Sequence, residues 1–183
     1  MNWLNTIILL LATIIAVYWE AAFSGLRHLL GAQVDLLPAL VVYASLYGSL
    51  GTVAMVAAGG GLLFDSLSIN PLGVTVLPLF ACGLAIHSGR ELILREQTFA
   101  QTVLGFVASL ATPIFVLLLL LTTHHEPLFG WGTLWQIIVM SVGGAIATPI
   151  IFELFGLLNR LFGHAASGPS SFRPDREIRR GRS

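Results

Sequence analysis

The chain has 183 residues, of which 56% are hydrophobic and only 10% are charged. Soluble domains carry about 25% charged residues, so this chain has too few polar side chains to cover a water-soluble fold. Basic and acidic residues balance at nine each, and we expect no nucleic-acid partner. The single cysteine, Cys82, excludes an intrachain disulfide and a cysteine-based metal cage. The composition predicts an all-α integral membrane protein.

The first apolar segment, from about residue 4 to 23, is long enough to cross a bilayer, which takes about 20 residues. Trp3 stands at one end and Tyr18 and Trp19 at the other, as is typical of aromatic anchors at the two membrane interfaces. No basic stretch precedes the segment, and Trp19-Glu20 is a poor cleavage context for a signal peptide. We therefore expect the segment to remain in the mature protein.

The next apolar stretch, residues 36–67, is too long for one span and too short for two full ones. Gly48 and Ser49 interrupt it, so we divide it there into two helices. Asn70 is a good N-cap and Pro71 suits the first helical position, which predicts that a fourth helix starts at Pro71. The predicted spans, in chain order, are about 4–23, 36–47, 49–66, 71–94, 99–122 and 133–162.

The arginines predict the orientation in the membrane. Arg90 and Arg95 lie between the fourth and fifth helices, and residues 163–183 form an Arg-rich tail that we predict to be disordered. The loop between the fifth and sixth helices has no Arg, so the positive-inside rule places the tail in the cytoplasm. Five spans would also put Arg27 inside. We prefer six, because a 30-residue helix through the glycine-rich region is physically less favourable.

No catalytic or metal-binding pattern is recognisable in the sequence. A G-x-S-x-G elbow, a phosphate-binding loop and an H-E-x-x-H pair are all missing. His124, His125 and Glu126 point in different directions because they are adjacent, and we interpret them as a solvated loop. His87 and Glu91 are spaced to share a helix face, and we interpret them as the polar end of the fourth helix. We therefore predict no enzyme activity, no cofactor and no metal.

Acidic residues near the spans need partners, water or an interfacial depth, since an ionised Asp at mid-membrane costs roughly 2.5–3.5 kcal/mol. For Glu20 and Glu153 we expect positions near the membrane interfaces. Asp65 ends a glycine-rich helix and precedes a tight turn. We expect its carboxylate to accept hydrogen bonds from the exposed amides of the fourth helix and so to lock a helical hairpin.

Small residues recur along the second, third and sixth helices. Such residues let helices approach closely in lipid, where burial of apolar surface gives no net drive. Packing within the chain and packing against a partner both remain open. The candidate helix-packing faces contain Gly48, Gly51, Ser141, Gly144, Ala145 and Thr148.

Residues 60–73, which read G-G-L-L-F-D-S-L-S-I-N-P-L-G, resemble the signature of the MreD family of rod shape-determining membrane proteins. In that family a glycine-rich helix ends in G-L-L-x-D, and P-L-G opens the next helix after a short turn. Residues 34–38 also resemble the family's entry to its second helix. The motif positions are Gly60, Gly61, Leu62, Asp65, Asn70, Pro71 and Gly73.

The resemblance implies a non-enzymatic scaffold of the elongasome, the complex that directs lateral peptidoglycan synthesis in rod-shaped bacteria. The implied partners are MreC, RodA with its penicillin-binding transpeptidase, MreB filaments, membrane lipids and a second copy of the chain, at the inner membrane.

The implied fold is a six-helix bundle similar to the substrate-binding component of energy-coupling factor transporters. That likeness supplies the alternative function, a small-molecule-capturing transporter subunit. Such a subunit needs polar groups that converge near the outer face. Glu20, Arg27, Gln33 and His124 are the candidates.

Overall fold

The computed structural model describes residues 3–22, 31–68, 71–93, 97–122 and 130–166, the last six by their backbone alone. Over these ranges the chain is all-helical, and no strand is present. The six helices are α1 (Trp3–Ala22), α2 (Leu37–Tyr47), α3 (Leu50–Leu67), α4 (Val76–Gly89), α5 (Thr98–Thr122) and α6 (Trp131–Ala166).

Four of the six helices are long and apolar enough to cross a membrane, namely α1, α3, α5 and α6. The other two are apolar but short, with 11 residues in α2 and 14 in α4. At 1.5 Å per residue these two are about 17 and 21 Å long, less than the roughly 30 Å of a hydrocarbon core. The chain is therefore a membrane protein with four candidate spans and two shorter helices.

The short helix α2 is the centre of the bundle. It packs against each of the other five helices, and every residue from 37 to 46 is buried. Its sequence is apolar on all sides, and such a helix is stable only inside a protein or in lipid. Pro38 lies in its first turn, where the missing N–H leaves no hydrogen bond unmade.

The fourth helix is shorter than the sequence predicts. It starts at Val76 instead of Pro71 and ends at Gly89 instead of about residue 94. Residues 72–75 form a turn, in which the Val74 amide donates to the Pro71 carbonyl at 3.3 Å. Asn70, the predicted N-cap, lies outside the described residues.

Consecutive helices run in alternating directions, which gives the bundle two chemically different ends. At the acidic end, defined by Glu20, Asp35 and Asp65, α1 and α3 finish while α2 and α4 begin. At the basic end, defined by His87 and Arg90, α2 and α4 finish while α3 begins.

The most extensive helix–helix contact joins α5 to α6. A Cβ added to Gly105 would lie 2.0 Å from Thr148 Oγ1, and one added to Gly144 would lie 1.8 Å from Ser109 Oγ. The backbone of each helix at its glycine therefore contacts a side chain of the other helix, a close approach that small residues allow in lipid. Gly144 and Thr148, two of the predicted packing residues, serve this internal contact. Ala145 is half-buried, and Ser141 is buried.

Candidate functional site

The turn between α3 and α4 is organised by one buried carboxylate. Asp65 is only 1% exposed. Its Oδ2 accepts hydrogen bonds from the amides of Gly73, at 2.8 Å, and Thr75, at 3.1 Å, and its Oδ1 accepts from the Thr75 hydroxyl. Thr75 is the N-cap of α4, so the negative charge lies at the positive end of that helix.

As the sequence predicts, the Asp65 carboxylate accepts hydrogen bonds from backbone amides that follow α3. The donors, Gly73 and Thr75, belong to the turn before α4 and not to the helix itself. Gly73 has a φ of +91°, a conformation that side chains with a Cβ rarely adopt. The glycine of the P-L-G segment is therefore required by the turn and does not open a helix.

Three consecutive glycines on α3 have three different environments. A Cβ on Gly60 would lie 2.6 Å from Leu37 Cδ2, and one on Gly61 would lie 3.0 Å from the backbone of Val76. Gly59 has no atom within 4 Å of such a Cβ and is exposed. The first contact brings α2 close and the second brings α4 close, whereas Gly59 faces away from the bundle.

The basic end closes the break between α2 and α3. His87 Nδ1 lies 3.0 Å from the Ser45 carbonyl oxygen, and Arg90 Nη1 donates to the Gly48 carbonyl at 3.1 Å. Both carbonyls belong to the C-terminal end of α2, which favours positive charge. Ser49 caps α3, and its Oγ accepts from the Thr52 amide at 3.3 Å.

The prediction that His87 and Glu91 share a face of the fourth helix is wrong, because α4 ends at Gly89 and Glu91 is exposed beyond it. His87 reaches across to α2 instead.

Two further carboxylates meet at the acidic end. Glu20 Oε1 accepts from the Leu36 amide at 2.5 Å, and Asp35 Oδ1 accepts from the Leu37 amide at 2.8 Å. Both therefore cap the start of α2. Burial raises the pKa of the Asp35 carboxyl to about 6, although its bond from Leu37 acts in the opposite direction. Glu20 thus bonds to the protein itself through Oε1, at the end of α1; its predicted position near a membrane interface stays a prediction.

A cavity of about 410 Å³ opens beside Asp35 at this end. Gln136 of α6 bridges to the segment before α2, since its Nε2 donates to the Gln33 carbonyl at 3.1 Å and its Oε1 accepts from the Gln33 amide at 3.2 Å. The polar lining residues are Gln33, Asp35, Thr75, Thr112, Thr133 and Gln136. The apolar lining includes Phe64, Pro113, Val116, Leu117, Ile137 and Met140.

The remaining predicted positions lie apart from this cavity. Gly48 is buried at the break, Gly51 and Leu62 are exposed on α3, and Glu153 is exposed on α6. No group of three or more His, Cys, Asp or Glu side chains gathers for a metal among the described residues. Arg27, Arg95, residues 124–126 and the tail beyond 166 lie outside the described ranges.

Comparisons with known proteins return no match to a family model, to a curated protein or to a solved structure.

Proposed function

We propose that this chain is a non-enzymatic membrane scaffold of the MreD type, which binds MreC and links lateral peptidoglycan synthesis to MreB filaments. The observation that supports it best is the turn around Asp65. Several residues of the segment that resembles the MreD signature make specific contacts in the hairpin. Gly60 and Gly61 allow close helix contacts, and Asp65 and Gly73 close the turn.

A locked hairpin suits a scaffold because a partner needs a fixed surface. On the outer face of the hairpin, the exposed residues of α3 are largely apolar or small, among them Met55, Gly59 and Leu62. In lipid, a second helix associates with such a surface only through close packing and polar bonds. The proposed contacts are the membrane helix of MreC, RodA with its penicillin-binding transpeptidase, and a second copy of the chain.

In the proposed orientation the basic end faces the cytoplasm. Arg90 lies there, and the sequence adds further arginines after α6, as the positive-inside rule requires. The acidic end with its cavity then faces the outer side of the inner membrane. The C-terminal segment would lie beside MreB, which is cytoplasmic.

The experiment is co-isolation of the tagged full chain with MreC from membranes. Gly59→Leu places a bulky side chain in open space, so we expect unchanged thermal stability and at least a threefold loss of MreC. Gly156→Leu is the matched control, because Gly156 on α6 is also open and exposed. Depletion of the chain should also round the cells. Cells that stay rod-shaped, or a wild-type chain that retains no MreC, would contradict the proposal.

The cavity favours a second candidate, a small-molecule-capturing transporter subunit. Ligand sites typically have volumes of about 300–1,000 Å³ and a few convergent polar groups, and this cavity has both features. Mass spectrometry of the purified chain would test it. A stoichiometric small molecule, together with uptake lost on deletion, would support this function over the scaffold.

A further inference from the structure

Each of the two carboxyl groups at the start of α2 has one oxygen atom to which no described residue donates a hydrogen bond. Glu20 and Asp35 each accept one backbone hydrogen bond, through Oε1 and Oδ1. Glu20 Oε2 is buried and has no hydrogen-bond partner within the described part of the chain. Asp35 is 2% exposed, and no described residue donates to its Oδ2.

No positive side chain among the described residues balances this pair. His87 and Arg90 bind carbonyls at the opposite end of the bundle, and the charged neighbour of Glu20 is Asp35 itself, a like charge. The dipole of α2 offsets part of the negative charge. Buried carboxylates without a full counter-charge take up a proton or bind a cation.

The residues that line the cavity indicate which kind of cation it can bind. Asp35 lines it together with Gln33, whose side chain has no hydrogen-bond partner among the described residues. Apolar side chains, among them Phe64, Val116 and Ile137, also line the cavity. A bare metal ion needs more oxygen ligands than two carboxylates provide. An organic cation can place its charged group beside Asp35 and its carbon atoms against the apolar lining residues.

We propose that this cavity binds a molecule with a protonated primary amine on a short carbon chain. The ammonium lies between Asp35 Oδ2 and the Gln33 side-chain oxygen. The inference names the ligand class for the ligand-capture function proposed above and does not depend on MreC binding. The amine comes either from a soluble molecule or from an ethanolamine lipid headgroup.

Calorimetric titration of the full chain in phosphatidylcholine nanodiscs tests the soluble source. The probes are 2-phenylethylamine and its neutral analogue 2-phenylethanol. We expect the amine to bind at least tenfold more tightly than the alcohol. Asp35→Asn keeps an oxygen for the Leu37 amide and removes the charge, so it should weaken amine binding at least tenfold. Glu153→Gln removes an exposed carboxylate outside the cavity and should change nothing.

Native mass spectrometry tests the lipid source. In mixed phosphatidylethanolamine and phosphatidylcholine, the chain should retain the ethanolamine lipid at least tenfold over the choline lipid, and Asp35→Asn should lose this preference. Ile137→Trp reduces the volume of the cavity while both carboxyl groups are kept, and it should abolish binding in whichever arm is positive, even if Asp35→Asn misfolds.

Failure of both arms with wild-type protein overturns the proposal. Equal affinity for amine and alcohol also overturns it, provided that no lipid preference is seen. A retained ligand that lacks an amine overturns the ligand class while ligand capture itself stands. Co-isolation with MreC reports on the scaffold separately.

Discussion

The two turns that flank α3 both contain backbone groups at helix ends that need hydrogen-bond partners. An acidic side chain bonds to them in one turn, and basic side chains bond to them in the other. At the acidic end, the Asp65 carboxylate gathers amide donors before α4. At the basic end, His87 and Arg90 reach carbonyl acceptors at the close of α2. Each charge or donor thus matches the partial charge of the helix terminus that it faces. In lipid no water replaces such partners, so both ends of a short buried helix need them.

The turns differ in where their partners come from. Asp65 and Thr75 are ten residues apart, whereas Arg90 and Gly48 are 42 apart. The first turn is therefore a local lock, and the second forms only when α4 packs on α2. Breaking each turn separately should show this difference.

The largest effect is expected from Asp65→Ala. It leaves two amides and a hydroxyl without their acceptor in a buried site, so the free energy of unfolding should fall by about 3 kcal/mol or more. Thermal unfolding of the purified chain in detergent measures this loss. Asp65→Asn keeps one acceptor oxygen and should lose less. A stability equal to wild type would show that the carboxylate does not hold the turn.

A smaller effect is expected where α3 and α4 touch. Gly61→Ala would push a methyl group to 3.0 Å from the Val76 backbone, and overpacking of this kind costs about 1–3 kcal/mol. Gly59→Ala is the matched control, because open space surrounds it and alanine suits a helix interior better than glycine. Equal unfolding temperatures for the two variants would rule out a tight hairpin.

At the basic end, Arg90→Ala and His87→Ala should each reduce stability by about 1 kcal/mol, because each leaves one carbonyl of α2 without its donor. Since these side chains bridge distant segments, hydrogen exchange should increase around residues 45–48 while the α3–α4 turn stays protected. Exchange spread equally over both turns would argue against two independent locks.

The smallest effect is expected from Ser49→Ala. Loss of an N-cap hydroxyl costs about 0.5–2 kcal/mol, and an exposed cap such as this one should lie at the low end. Ser49→Thr keeps the hydroxyl and should behave like wild type in the same unfolding assay. If Ser49→Ala lowered the free energy of unfolding more than Asp65→Ala does, the predicted ranking of the two turns would be wrong.

Helix ends that are determined by the residues at the end itself could be predicted from the sequence. The sequence predicts a break at Gly48 and Ser49, and α2 and α3 indeed end and begin on either side of it. The short α4 was not predictable from its own residues. Asn70 and Pro71 have the local pattern of a helix start, but Asp65 draws the following amides into a turn, and this tertiary contact overrides the pattern.

The cavity and the basic end were not predictable for a related reason. Gln33 meets Gln136 across 103 residues, and no local pattern reports such a pairing. Asp35 was visible only as part of a family-like segment, although an Asp two residues before a helix with an early proline is a capping signal. The sequence indicated that Glu20 lies near the end of α1, but its bond to the Leu36 amide depends on the packing of α2 against α1.

Helix α5 contains a proline, Pro113, within its length. Before that residue, Gly105 and Ser109 pack closely against α6. The α5 residues that line the cavity are Thr112, Pro113, Val116 and Leu117. A proline has no N–H, so the Ser109 carbonyl receives no helical hydrogen bond there, and the two halves are joined less stiffly than the rest of the helix. We therefore expect α5 to bend most easily at this point, between the residues that pack on α6 and most of those that line the cavity.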